Sequence, residues 1–375
     1  MDTEENTAWL RRSLHVAAAG PWPDPNPRVG CVIVAADGSL VAEAHHRGAG
    51  TPHAEASALA LAGTRARGAT AYVSLEPCAH TGRTGPCARA LIDAGVTRVV
   101  FAQPDPNGAA AGGAEMLRAA GVEVVGGLLA DEAGALNERW ARTIALGRPL
   151  VTWKFAATLD GRSAASDGTS AWITGEAARA DVHSLRATRD AVLAGTGTVL
   201  VDDPQLNVRM PTHGGLRPPW TPQLPAGPGS EPQQPLRVVV GLRDVPAGAR
   251  VHDGPGAVVH LRTRDPREAL QTLWVKGIRD VWLEGGPTLA AAFLNAGLVD
   301  DVYAYIAPAL LGAGRAAVGD LGITSIDDIE RLDLVDVLAI GGDIRIHATP
   351  RPFDVSPRQI RRGDTSNRES LATER

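Results

Sequence analysis

The chain has 375 residues, which is long enough for two or three domains that each bury a core of their own. Its apolar content of 44% is ordinary for a globular protein, and its net charge of −5 lacks the basic excess of nucleic-acid binders. Only three cysteines are present, which excludes a disulfide scaffold and indicates a reducing compartment.

The sequence shows no signal peptide and no uncharged stretch long enough to cross a bilayer. We therefore expect a cytoplasmic protein that binds neither membranes nor nucleic acid.

Apolar periodicity, glycine stops and β-branched runs predict alternating helices and strands in residues 1–147. In chain order these are a helix at 6–20, strands at 29–34 and 40–44, a helix at 53–62, a strand at 69–75, a helix at 86–94, a strand at 96–102, a helix at 115–120, a strand at 122–125 and one long helix at 131–146. The alternation is typical of a three-layer α/β domain. Gly147, Arg148 and Pro149 end the last helix, so we predict a domain boundary between residues 147 and 148.

A second α/β alternation fills residues 148–350. Its predicted elements are a strand at 150–156, a helix at 176–186, strands at 191–193 and 237–240, a helix at 267–276, a strand at 281–283, a helix at 288–296 and a strand at 302–306. A proline-rich run at 211–235 predicts an irregular surface insertion. The polar and charged residues 351–375 predict a disordered tail.

A candidate metal site is formed by His53, Cys78 and Cys87. Catalytic zinc takes three protein ligands and leaves one position for water, and two thiolates would neutralise the charge of the ion. Glu55 stands two residues from His53, close to the metal without having to be a ligand. It can move protons between the bound water, the substrate ring and the leaving ammonia. This pattern predicts a zinc-dependent deaminase with Glu55 as its catalytic residue.

Other interpretations of these residues stay open at this point. An isolated His-x-Glu carries little information, two cysteines can pack as small apolar side chains, and His80 can replace His53 as a ligand. A structural zinc site is a further alternative, although a fourth ligand would normally close it. Cys31 lies in an apolar strand and is predicted to belong to the core.

Residues 77–87 (PCAHTGRTGPC) resemble the riboflavin-biosynthesis deaminases, whose pattern has a proline where Gly85 stands. Residues 26–34 (NPRVGCVIV) are similar to the strand that lines the pyrimidine pocket of that family. The resemblance implies that Asn26 and His46 contact the substrate. An Asn before a proline also forms turns, and this alternative stays open for Asn26.

The second half carries WKFAATLDGR at 153–162, WITG at 172–175, GTGTV at 195–199, DDP at 202–204 and EGGPTL at 284–289. This order resembles the reductase half of the bifunctional riboflavin-biosynthesis proteins, whose fold is like dihydrofolate reductase. The resemblance covers residues 8–350. It implies a cytidine-deaminase-like N-terminal domain followed by a dihydrofolate-reductase-like C-terminal domain.

The resemblance also implies contacts to NADPH and to the substrate in the second half. The implied cofactor contacts are Ala156, Trp172, Thr198, Asp202, Gly286, Pro287, Thr288 and Leu289. The implied substrate contacts are Lys154, Ser170, Arg186, Leu206, Arg209 and Glu284. Guanidinium groups suit a phosphate ester, although ordinary surface arginines and a buried salt bridge at Lys154 are the alternatives.

Gly241 and Leu242 depart from the family pattern of an aspartate followed by a small hydroxyl residue that touches the cofactor. One cofactor contact, and the preference for NADPH over NADH, are therefore left open.

The expected function is bifunctional. Zinc-dependent deamination of 2,5-diamino-6-(5-phosphoribosylamino)pyrimidin-4-one would be followed by NADPH-dependent reduction of the ribosyl group to ribityl. A deaminase with a second domain that only binds ligand, a nucleic-acid base deaminase and a non-enzymatic zinc module are the alternatives. A homo-oligomer is also expected.

Overall fold

The computed structural model describes residues 3–80, 85–209 and 234–351. Most of the predicted insertion at 211–235 and nearly all of the predicted tail at 351–375 lie outside these residues. Within them, every helix is too short or too polar to cross a bilayer.

The first half builds a five-stranded sheet in the order β2-β1-β3-β4-β5. Its elements are α1 (Thr3–Ala17), β1 (Gly30–Val34), β2 (Leu40–His45), α2 (Ala54–Ala62), β3 (Thr70–Leu75), α3 (Cys87–Asp93), β4 (Arg98–Gln103), α4 (Gly113–Ala119), β5 (Glu123–Gly126), α5 (Ala130–Leu136) and α6 (Glu138–Leu146). β1 runs antiparallel to both of its neighbours, while β3, β4 and β5 are parallel.

Helices cover both faces of this sheet. Cys31 and Ile33 belong to the core beneath α2, α3 and α4, whereas Val32 and Val34 pack with Leu10 of α1 on the other face. Every residue of β1 is buried, which explains its unbroken apolar sequence. The predicted three-layer arrangement is confirmed.

The second half builds an eight-stranded sheet in the order β10-β9-β8-β11-β6-β12-β15-β14. Its elements are β6 (Leu150–Thr158), β7 (Arg162–Ala164), α7 (Glu176–Arg186), β8 (Ala191–Gly195), α8 (Thr196–Asp202), β9 (Leu236–Val240), β10 (Val258–Leu261), α9 (Pro266–Val275), β11 (Asp280–Leu283), α10 (Pro287–Asn295), β12 (Asp301–Ala307), β13 (Arg315–Ala316), β14 (Leu332–Ile340) and β15 (Asp343–Pro350). The strands from β10 to β12 are parallel, so their carboxyl ends meet at one edge of the sheet.

The single helix predicted at 131–146 is wrong, because the structure has two helices separated at Asn137. The side chain of Asn137 accepts a hydrogen bond from the backbone N–H of Arg28 and donates one to its carbonyl, both at 2.9 Å. This pairing with a distant segment holds Asn137 at a non-helical φ of −119°. The spacing of apolar residues along the chain cannot indicate this contact between Asn137 and Arg28.

Some elements lie where no element was predicted. The hairpin of β14 and β15 turns at Gly341, whose φ is +60°. α8 begins at Thr196 and contains Gly197, residues that favour turns over helices when isolated. Burial of Val199 against the sheet supplies the packing that this short helix needs.

Arg139 of α6 connects the two halves. Its guanidinium binds Asp280 through two hydrogen bonds of 2.5 and 2.8 Å and Asp301 through one of 2.9 Å. Asp280 and Asp301 are the first residues of β11 and β12, and both side chains are only 4% exposed. α6, which precedes the predicted boundary, is therefore ion-paired to the second sheet.

Candidate active sites

The first candidate site lies where three elements of the N-terminal sheet meet. His53 precedes α2, Cys78 follows β3, and Cys87 is the first residue of α3. Nδ1 of His53 lies 3.2 Å from Sγ of Cys87 and 3.7 Å from Sγ of Cys78, and all three donor atoms lie within 4.8 Å of one another. Tetrahedral zinc bonds place such donors roughly 3.5–3.8 Å apart. The donor set and its spacing therefore fit zinc.

The hydrogen bond between Cys78 and Cys87 shifts the pKa values of the two thiols in opposite directions. Hydrogen bonds from Cys87 and from His53 lower the pKa of Cys78 to about 4. The same hydrogen bond with Cys78, together with burial, raises the pKa of Cys87. A lowered pKa favours the thiolate form of Cys78, which is the form that binds a metal cation.

Glu55 lies in the first turn of α2 and is 3% exposed. Burial raises the pKa of its carboxyl to about 7, and the negative charge of Cys78 adds to that rise. A carboxyl that titrates near neutrality, beside the predicted metal ligands, can both accept and donate a proton.

Asn26 and His46 are brought together beside His53. Nδ2 of Asn26 lies 3.2 Å from Nε2 of His46, and Nδ1 of His46 lies 3.1 Å from the carbonyl oxygen of Pro52. Because that oxygen can only accept, Nδ1 carries the proton and Nε2 accepts from Asn26. Burial lowers the pKa of His46, which favours this neutral form. Asn26 is therefore held in place by a side chain and does not serve only as a turn residue.

The second candidate site is a cavity of about 1080 Å³ at the carboxyl ends of β6, β8, β9 and β11. Predicted cofactor residues that line it are Ala156, Thr198, Asp202, Gly286, Pro287, Thr288 and Leu289. Predicted substrate residues that line it are Lys154, Ser170, Leu206 and Glu284. The lining does not include Trp172, Arg186 or Arg209.

The turn before α10 leaves no room for a side chain at Gly285. A Cβ on Gly285 would lie 2.9 Å from Cδ2 of Leu289, so a side chain at 285 would crowd the first turn of α10. The backbone N–H of Gly286 donates to Oγ1 of Thr198 at 3.3 Å. In the first turn of α10, Pro287 has no N–H and Leu289 donates to the carbonyl of Gly286, so the backbone N–H of Thr288 is the donor that suits a phosphate of the cofactor.

Arg186 and Glu284 form a bidentate pair with two hydrogen bonds of 2.5 Å. Nη1 of Arg186 also donates to the carbonyl oxygen of Asn207 at 2.9 Å. Burial alone would raise the pKa of Glu284, but the charge and hydrogen bonds of Arg186 lower it to about 2. The guanidinium fork that was expected to grip a phosphate is thus already occupied, and contact of Arg186 with substrate stays a prediction.

Lys154 is half-buried beside this pair. Burial lowers the pKa of its ammonium group, the charge of Glu284 opposes that effect, and the charge of Arg186 adds to it. Its Nζ lies 5.8 Å from the ring centroid of Tyr305. Lys154 therefore has a charge partner nearby but no side-chain ion pair of its own among the described residues.

His183, for which the sequence predicts no role, contacts the predicted substrate residue Arg209. Its Nδ1 accepts the backbone N–H of Arg209 at 3.2 Å, and its Nε2 lies 3.4 Å from Nη2 of Arg209. Burial and the charges of Arg186 and Arg209 lower its pKa to about 4, so the ring is neutral. The spacing of His183 and Arg186, three residues apart on α7, places both on one helix face and was the available signal.

The departure at Gly241 has a conformational cause. Its φ is +140°, and a side chain there would overlap the side chain of Thr196. This turn therefore takes a glycine where the family pattern has an aspartate, and Leu242 lines the cavity beside it.

Two protein families match this chain in separate regions. The cytidine and deoxycytidylate deaminase zinc-binding region matches residues 3–103, and the RibD C-terminal domain matches residues 149–346. Fold and sites together define a zinc-dependent deaminase of the cytidine-deaminase class joined to a reductase domain.

Similar proteins extend over nearly the whole chain. Riboflavin biosynthesis protein RibD of Mycobacterium tuberculosis is 47% identical over 329 residues, covering 87% of this chain and 92% of that protein. RibD of Escherichia coli is 40% identical over 365 residues, covering 90% and 98%.

Two solved structures are also similar to this chain over nearly its whole length. A structure of Acinetobacter baumannii RibD is 40% identical, with a TM-score of 0.78 over 92% of this chain and 99% of that one. A Thermotoga maritima diaminohydroxyphosphoribosylaminopyrimidine deaminase/5-amino-6-(5-phosphoribosylamino)uracil reductase is 30% identical, with a TM-score of 0.73 over 92% and 99%.

The chain belongs to the RibD family of riboflavin biosynthesis proteins. It is a bifunctional enzyme with a zinc-dependent deaminase domain and an NADPH-type reductase domain. A second domain that only binds ligand is not favoured, because the reductase family match spans that half of the chain.

Proposed function

We propose that residues 1–147 hydrolyse the 2-amino group of 2,5-diamino-6-(5-phosphoribosylamino)pyrimidin-4-one. Residues 148–350 then reduce the ribosyl group of the product to ribityl with NADPH. The observation that carries the first step is Glu55, a buried carboxyl with a pKa of about 7 beside a His-Cys-Cys cluster. Because both steps act on one phosphorylated intermediate, their fusion in a single chain is advantageous.

In the first step, His53, Cys78 and Cys87 hold the zinc ion, which when bound lowers the pKa of a water. Glu55 accepts one proton from the attacking water and passes it to a ring nitrogen, and then moves the second proton from the new hydroxyl group to the departing amino group. The new C–O bond replaces the C–N bond, and ammonia leaves. Asn26, fixed by His46, donates a hydrogen bond to the pyrimidine edge and orients the ring.

The test of the first step is Glu55→Gln, with Glu115→Gln as the control. Glu115 also lies in the first turn of a helix of this domain, but it is exposed. Glu55→Gln is expected to keep one zinc ion per chain by metal analysis and to slow ammonia release by roughly 10²- to 10⁴-fold. Unchanged deamination would overturn the role of Glu55.

In the second step, the predicted cofactor residues that line the cavity would hold NADPH, namely Ala156, Thr198, Asp202, Gly286, Pro287, Thr288 and Leu289. Trp172 lies outside that lining, and its contact with the cofactor stays a prediction. Lys154 and Glu284 would meet the ribosyl group, and Ser170 and Leu206 also line the cavity. Arg209 is exposed, with its guanidinium held by Gln205, Asn207 and His183, and it would contact the phosphate of the substrate.

The test of the second step is incubation of the chain with the diaminopyrimidine phosphate, with and without NADPH. Ammonia is expected in both reactions, whereas ribityl product and loss of NADPH absorbance are expected only when the cofactor is present. Ammonia release without any NADPH oxidation would contradict the second step and leave the first intact.

We also propose that a second copy of this chain covers β14, which is the last strand of its sheet. Large apolar side chains on this strand are at least 40% exposed, namely Leu332, Leu334, Val335, Val337 and Leu338. An edge strand of this kind is either covered or prone to aggregation. Light scattering is expected to show a homo-oligomer that Val337→Lys dissociates, and a monomeric wild-type chain would refute this.

The net charge of −5 lacks the basic excess of proteins that bind nucleic acid, so a nucleic-acid substrate is not expected. Single-stranded RNA is therefore expected not to compete with the substrate at low salt. The reduced thiols of the metal site support activity in the cytoplasm, which cell fractionation would test.

A further inference from the structure

A basic rim of the second cavity has no part in the contacts assigned above. Arg243 follows β9, Arg264 follows β10, and both line the cavity. β9 and β10 are paired in parallel with Leu261 opposite Val240. The two arginines therefore leave the sheet side by side from the same ends of neighbouring strands.

The carboxylates nearest to these arginines along the chain form an ion pair or hydrogen bonds with other groups. Asp244 pairs with Arg262. Asp265 accepts a backbone N–H in the first turn of α9 at 2.8 Å. Glu268 accepts the hydroxyl of Thr263 at 2.5 Å.

Arg243 and Arg264 themselves make no side-chain ion pair within residues 3–80, 85–209 and 234–351. A Cβ on Gly197 would lie 2.9 Å from Nη2 of Arg243, so that guanidinium lies against the start of α8, another part of the cavity lining. Two guanidinium groups that form no ion pair with the described residues thus stand at one end of the cavity.

The order of strands fixes which end of a dinucleotide reaches this rim. Lys154 and Glu284, on β6 and just after β11, belong to the substrate side, and α10 beside them suits the pyrophosphate. β9 and β10 lie beyond β8, at the opposite side of the cavity. A cofactor with its nicotinamide at the substrate therefore extends its adenosine towards Arg243 and Arg264.

We propose that Arg243 and Arg264 bind the 2′-phosphate of the adenosine ribose and thereby select NADPH over NADH. This inference rests on the proposed reduction. A guanidinium can place two N–H groups on one phosphate, and the 2′-phosphate is the group that distinguishes the two cofactors.

The test measures dissociation constants by calorimetry for NADPH, NADH and 2′,5′-ADP, with Arg243→Ala, Arg264→Ala and the double variant. Each substitution is expected to weaken NADPH and 2′,5′-ADP by roughly 10- to 100-fold and to change NADH by less than about twofold. Arg267→Ala is the matched control, because Arg267 lies nearby on α9 but outside the cavity lining, where it donates to the carbonyl of Ala296.

An equal loss of NADPH and NADH affinity in the arginine variants, or no loss of either, would overturn the inference. If the wild-type chain binds the two cofactors equally well, the selection fails while the proposed reduction stands. If the wild-type chain binds neither, the proposed reduction fails as well. Ammonia release from the same samples reports that each variant is folded in its first half.

Discussion

The α-carbon of Gly113 faces the carbonyl group of Pro77, the residue before Cys78, so closely that a side chain at 113 would overlap it. A β-carbon there would lie 2.8 Å from the carbonyl carbon of Pro77. The first residue of α4 therefore fixes the backbone that carries one of the predicted zinc ligands.

Gly113→Ala is expected to displace Pro77 and Cys78 and to weaken zinc binding. Overpacking of this kind typically costs about 1–3 kcal/mol in the free energy of unfolding. Competition with a fluorescent chelator would measure the zinc affinity, and urea unfolding the stability. Gly108→Ala is the control, because a Cβ at 108 meets no atom within 4 Å. Equal zinc affinity in the two variants would contradict the prediction.

Arg139→Met is expected to destabilise the chain by about 3–5 kcal/mol, because it leaves Asp280 and Asp301 buried without their main cation. The midpoint of urea unfolding would measure this loss. Arg142→Met serves as the comparison, since Arg142 lies 4.0 Å from Asp301 and is 36% exposed. We expect it to cost less than about 1 kcal/mol.

His183 makes stability depend on pH. Its folded pKa of about 4 lies below its ordinary value of 6.5, so protonation favours the unfolded chain. The contribution of the neutral ring to the free energy of unfolding is complete above pH 6.5 and is lost as the pH falls towards 4. Between pH 7 and pH 5, the wild-type chain is expected to lose about 2 kcal/mol more than His183→Gln.

Denaturant unfolding at the two pH values would measure this difference. His15→Gln, on an exposed position of α1, should instead follow the wild type. An identical pH response of His183→Gln and the wild type would show that the ring is not held neutral.

Removal of zinc is expected to separate the two activities. Cys78→Ser, or treatment with a chelator, should abolish ammonia release because the ligand set becomes incomplete. The affinity for NADPH should stay within about twofold, because the cavity is built on the second sheet. A parallel loss of NADPH binding, measured by fluorescence titration, would mean that the zinc site supports the reductase half.

The sequence predicted the helices and strands that are marked by a regular spacing of apolar residues. The helix at 176–186 matches α7, and the buried run at 69–75 is close to β3, because apolar spacing depends only on neighbouring residues. The grouping of His53, Cys78 and Cys87 was also predicted, because their spacing is specific to one family.

The rest of the sites depends on contacts between distant segments. The pairing of Arg186 with Glu284 joins residues 98 positions apart, and no local pattern indicates that the two meet. Asn137 separates α5 from α6 because its side chain is hydrogen-bonded to the backbone of Arg28, 109 positions away. No local pattern indicates that the ring of His183 is neutral, because the charge of Arg209, which helps to keep it neutral, comes from a distant segment.

Asp280 and Asp301 begin β11 and β12, whereas the cavity opens where β11 ends, at Glu284 and Gly285. The attachment between the halves and the hydride chemistry therefore occupy opposite ends of the same strands. Changes that accumulate at the attachment during evolution need not disturb the reaction. Such a layout suits a polypeptide assembled by gene fusion, since the joining surface can be remodelled, or the halves recombined, while the reducing pocket keeps its shape.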